Sequence, residues 1–167
     1  MIYDLLLTGR PVRAAVLAGA LIEAVGAGEV DVDVADRDGD QSTRDWAAPV
    51  LCGYSGLRGD VSMSLDIYVL DELFDQVPSE AEFAGRLASA VGAAVLYPAM
   101  EDVPSAYWVA SPSGGTTRAR LLSSDDEPPV HTIDAVASAV AELPHVPVSE
   151  LPEIARELHT NKGDADR

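Results

Sequence analysis

The strongest constraint on the fold is the alternation from Val61 to Val69. Val61, Met63, Leu65, Ile67 and Val69 take turns with Ser62, Ser64, Asp66 and Tyr68. A period of two places the apolar set on one side of an extended chain, so the stretch predicts a half-buried strand. An apolar strand face needs a second layer, and the following residues supply one. Ser79 with Glu82 spells a capping box, in which the serine hydroxyl accepts from the third helical N–H and the glutamate reaches back. The helix it opens presents Phe83, Leu87 and Ala90 or Val91, and Gly92 supplies its left-handed stop. A strand over 93–97 and a hairpin over 106–122, turning at Pro112-Ser113-Gly114-Gly115, complete this unit.

Upstream, residues 1–7 read as an opening strand or a helical turn, broken by Thr8-Gly9-Arg10-Pro11. Pro11 suits a first helical position. Val12, Val16, Leu17, Ala20, Leu21 and Ala24 then mark one face of a helix ending at Gly26 or Gly28. Residues 29–34 alternate valine with carboxylate, which predicts a short strand with one wet face. The run 46–57 is strand-like, but Pro49 and Gly53 point to an edge or bulged strand. Downstream, 123–129 reads as a charged linker. Thr132 is placed to cap a helix carrying Ile133, Val136, Val140 and Leu143 up to Pro144. Ser149 is placed to cap another, carrying Leu151, Ile154, Ala155 and Leu158. The expected fold is therefore α+β: a mainly antiparallel sheet, helices covering one face, and two C-terminal helices. One domain over 1–160 and a flexible tail over 161–167 are expected.

Charge narrows the functional classes. The 167 residues carry 28 acids against 11 bases, a formal net charge of -17. Such a field repels nucleic acid and anionic membrane and favours basic partners, cations or simple solubility. No apolar run approaches the roughly 18 residues of a membrane helix. The single cysteine, Cys52, allows no intrachain disulfide and fits a reducing cytoplasm. It lies in the apolar run Pro49-Val50-Leu51-Cys52 and reads as a small buried hydrophobe.

Carboxylates are the recurring polar feature. Asp36, Asp38 and Asp40 have the spacing that opens a calcium loop, but Gln41 and Ala47 stand where its glycine and closing glutamate belong. That leaves an acidic turn. Asp31 and Asp33 share one strand face. Between Gly59 and Gly85 there are acids and no base; Glu80 and Glu82 complement a helix dipole, whereas Asp66, Asp71, Glu72 and Asp75 answer to no folding rule. These carboxylates, from Asp31 to Asp75, form the expected partner-binding surface, with Trp46 beside a polar loop as its aromatic anchor. His131, His145 and His159 share no ligand spacing. No catalytic residue, metal site or cofactor is expected.

The runs Ala90–Pro98, Pro104–Val109 and Ser113–Thr116 carry a resemblance across about 79–122. This stretch resembles small bacterial proteins that include immunity proteins of polymorphic toxin systems, with Ser113 standing where their hairpin aspartate usually falls. The resemblance implies an acidic cytoplasmic protein that blocks a toxin by binding it. An immunity or antitoxin-like inhibitor is thus the expected function. The alternatives are a small enzyme joining Asp31 or Asp33 to a histidine, and a homo-oligomeric accessory subunit.

Overall fold

The alternating residues form a strand inside the sheet. In the computed structural model, which describes residues 1–154, they form strand β5 (Val61–Val69), and all five apolar side chains are buried. Before it come β1 (Ile2–Thr8), α1 (Ala14–Val25), β2 (Val32–Asp36), β3 (Val50–Gly56) and the two-residue β4 (Arg58–Gly59). After it come a 3-10 turn (Asp71–Leu73), α2 (Glu80–Val91), β6 (Val95–Pro98), β7 (Ala106–Ala110), β8 (Thr116–Ser123) and β9 (Val130–Val136).

The strands form one sheet in the order β2-β3-β5-β1-β6-β7-β8-β9-β4. Most neighbours are antiparallel, but β2 pairs parallel with β3 and β4 pairs parallel with β9. Because β4 joins β3 to β5 in sequence, its pairing with β9 curls the far end of the sheet back to the β3–β5 hairpin. Residues 1–7, left open between strand and helix, become β1 at the centre, between β5 and β6. The run 50–56 lies inside the sheet between β2 and β5, not at an edge, because Pro49 falls just before the strand rather than within it.

Both helices lie against one face of the β2-to-β7 half. Leu17, Leu21 and Val25 of α1, with Phe83 and Leu87 of α2, close over Tyr3, Leu5, Leu7, Cys52, Leu65 and Ile67. The Tyr3 and Phe83 rings stack 4.2 Å apart. The Ser79 hydroxyl accepts from the Glu82 N–H (3.2 Å), and Gly92 closes α2 in the left-handed region, as the capping signals require. Glu82 does not complete the reciprocal box; its carboxylate turns to Arg86 instead, 3.6 Å away. Pro11 precedes the helix rather than starting it, since Arg13 is the N-cap. On the opposite face of the other half, Leu96, Val109, Ala119, Leu121 and Ile133 form a second core, over which Val140, Leu143 and Val146 fold.

The expected fold class is overturned. The molecule is a mixed α/β fold dominated by its nine-stranded sheet, with two α-helices among the described residues, both preceding β6. Neither expected C-terminal helix forms there. Thr132 to Val136 belong to β9, and 137–146 continue as turns in which Val140 and Leu143 fold back over the sheet. The open edge of β8 explains this, because β9 satisfies that edge and a helix would leave it bare. The segment 123–129 is accordingly a strand connection, held by the Ser124 hydroxyl accepting from Asp126 and Val130. Among the described residues Ser149 caps no helix, since 149–154 is not helical; Ala155, Leu158, His159 and the tail 161–167 lie outside the described residues. Among the described residues, no helix is long and apolar enough to cross a membrane.

Candidate partner-binding face

The sheet face opposite α1 and α2 has a definite order, because strand register lines residues into rows. One row runs Asp33–Leu51–Tyr68–Ile2 across β2, β3, β5 and β1. The next runs Ala35–Gly53–Asp66–Asp4. Alternation puts these residues on the side away from the helices, and Ile2 and Tyr68 stand 63% and 43% exposed. The face therefore sets an apolar row beside carboxylates.

Asp4 and Asp66 are direct cross-strand partners. Burial raises the Asp4 pKa, and the charge of Asp66 and a hydrogen bond with it raise it further, against a lowering by Arg37. Arg37 ion-pairs with Asp66, and its Nε donates to the Ser55 hydroxyl at 2.9 Å. Its stem crosses the sheet at Gly53, where a Cβ would stand 2.9 Å from the Arg37 Cγ. Glycine in mid-strand makes room for that arginine.

Along the same face, Arg44 Nε donates to Asp33 at 2.7 Å, and the Asp45 N–H donates to the other Asp33 oxygen at 3.1 Å. Burial raises the Asp33 pKa, but these bonds and the Arg44 charge outweigh it and hold the carboxyl below its ordinary value. The Arg44 guanidinium also sits 4.7 Å from the centre of the Trp46 ring, which is 63% exposed. Trp46 is thus fixed at the rim by a cation itself fixed by Asp33.

The other expected acids are dispersed. Asp36 accepts from the Asp38 N–H and Asp40 from the Ser42 N–H, each at 2.9 Å, so both carboxylates fold their own loop. The Ser42 bonds hold the Asp40 pKa low. Asp31 and Asp38 are exposed beside β2. Asp71 pairs with the N-terminal ammonium group, Glu72 faces solvent, and Asp75 lines a cavity of about 380 Å³ with Phe74, Glu82 and Arg86 at the end of α1. The expected ridge from Asp66 to Asp75 is split: Asp66 belongs to the open face, and Asp71 to Asp75 lie past the end of β5.

The two described histidines, His131 and His145, do not join Asp31 or Asp33. His131 Nδ1 meets the Ser123 hydroxyl at 2.8 Å, and His145 Nε2 meets Asp60 at 3.0 Å. Cys52 is wholly buried, and burial first of all pushes its thiol up to about 12, out of the nucleophilic range. Among the described residues, no group of three acids, histidines or cysteines has the arrangement to hold a metal ion. Asp4, Arg37 and Arg44 escaped the reading of the sequence. The one signal for Asp4 was a carboxylate on the polar side of an otherwise apolar strand. No family model, curated protein or solved structure matches the chain.

Proposed function

We propose that this chain is a non-catalytic, cytoplasmic acidic binding module that inhibits a basic protein, in the manner of an immunity or antitoxin protein. The observation that carries this reading is the open face, where exposed Ile2, Tyr68 and Trp46 lie among Asp4, Asp33 and Asp66. Aromatic anchors supply binding energy by burial, and a surrounding field of one sign speeds encounter with the opposite sign. The net charge of -17 disfavours a second copy as the occupant, because two such surfaces repel. The enzymatic alternative would need a carboxylate with a raised pKa in a cleft. Asp4 and Glu80 have raised pKa values, but neither lines the cavity beside α1.

The test is titration of the pure chain with the products of its neighbouring genes, basic ones first, at low and high salt. Binding at micromolar Kd or tighter is expected, weakening as salt rises. Tyr68→Ala is expected to weaken it by about tenfold or more. Absence of binding at micromolar concentration in low salt overturns the proposal.

A further inference from the structure

We propose that the free edge of β2 takes up an extended, basic segment of the partner as an added strand. This rests on the binding-module reading above and specifies how the partner is held. β2 is the first strand of the sheet, and among the described residues nothing pairs with its outer side. The Arg37 N–H donates inward to the Tyr54 carbonyl at 2.9 Å. Backbone groups alternate along a strand, so Asp33 and Ala35 also turn theirs toward β3, while Val32, Val34 and Asp36 turn theirs outward. Gln41 Nε2 caps the Asp36 carbonyl at 2.8 Å. The outward amide and carbonyl of Val34 have no such cap among the described residues.

Sheet edges of this kind are usually blunted by proline, lysine or a bulge. The strand Val32-Asp33-Val34-Ala35-Asp36 has neither residue, and its pairing with β3 is unbroken. What guards it is charge of one sign: Glu29, Asp31, Asp36, Asp38 and Asp40 flank the edge. Arg37, the base among them, is committed to Asp66 and Ser55. Such an edge turns away another copy of this chain and admits a strand rich in lysine or arginine. Val30, Val32 and Val34 reinforce the point, because they pack only partly buried at the margin of the helix-side core. An added strand with apolar residues on that side would complete the cover, and strand addition uses this division of labour between backbone bonds and alternate side chains.

The experiment is amide hydrogen exchange on the full chain, free and with a short synthetic peptide alternating valine and arginine. A second peptide carries proline at its centre. The first peptide is expected to slow exchange at Val32, Val34 and Asp36 by about tenfold or more, and the proline peptide to leave them fast. Val34→Pro removes the outward amide and no bond to β3, so it is expected to abolish peptide binding while circular dichroism stays unchanged. Should that variant fail to fold, the exchange measurement decides alone. Binding without protection of those amides, or equal protection by both peptides, overturns strand addition and leaves the acidic module standing. Strand addition is overturned in the same way if a basic protein binds and neither peptide does. Failure of every basic ligand would instead overturn the underlying reading.

Discussion

Asp4 faces Asp66 across two antiparallel strands, a placement in which like charges oppose each other directly. Folding therefore costs something for every Asp4 that arrives ionised. Burial first, and then Asp66, raise its pKa above that of the unfolded chain, so the folded state prefers the protonated form. The sign follows: the penalty is absent below the unfolded pKa and grows as pH rises through the raised folded one. Asp4→Asn, uncharged and able to donate to Asp66, is expected to stabilise the protein at pH 7 by about 0.2–1 kcal/mol. That gain should shrink to nothing at acidic pH, and urea unfolding at both pH values measures it. Unchanged or lowered stability at pH 7 would mean that Arg37 already neutralises the pair. Asp4 was on view in the sequence as one polar residue of β1, but its distant partner was not, because cross-strand register is a tertiary fact. Asp33 was legible as an acid on a strand face, but nothing local announces that Arg44 and the Asp45 amide will hold it.

Elements whose signals are local came through intact: β5 by alternation, α2 by its serine cap and Gly92, and the β7–β8 hairpin by Ser113-Gly114-Gly115. Those decided by a distant partner did not. Ile133, Val136, Val140 and Leu143 recur at helical spacing and are all buried, yet a strand and a fold-back bury them equally well. β4 is the extreme case, two residues whose only role is to meet β9. At Gly59 the backbone has φ +103°, and an added Cβ would overlap the His131 carbonyl oxygen. Next to it Asp60 ties the seam: its N–H donates to that carbonyl at 2.8 Å, and its carboxylate accepts from the Ile133 N–H at 2.8 Å. Gly59→Ala combines a disfavoured φ with a backbone clash, and neither neighbour is a flexible side-chain tip that can yield. A loss of about 3 kcal/mol or more is expected, with faster amide exchange concentrated in β9. A loss below about 1 kcal/mol would show that the β4–β9 seam adds little to the fold.

For the molecule as a whole the charge is the dominant variable. With 28 acids and 11 bases, the bases cannot pair more than a minority of the carboxylates. The ion pairs that do form, such as Arg37–Asp66 and Arg44–Asp33, are local ties within an excess of one sign. An excess of this size repels itself across the compact state, and unfolding relieves it by moving the charges apart. Raising monovalent salt from about 0.01 M to about 1 M shortens the Debye length from about 30 Å to about 3 Å. Screening weakens both the long-range repulsion and the exposed pairs. The repulsion involves many more charges, and exposed pairs contribute only about 0–1 kcal/mol each. The melting temperature of the free chain is therefore expected to rise by several degrees across that range. A flat or falling Tm would mean that the local pairs, not the net charge, set the electrostatic balance. Binding to a basic partner must respond to the same salt in the opposite sense, because there screening removes an attraction. A chain that grows more stable while its complex weakens is one whose folding tolerates the charge that its recognition uses.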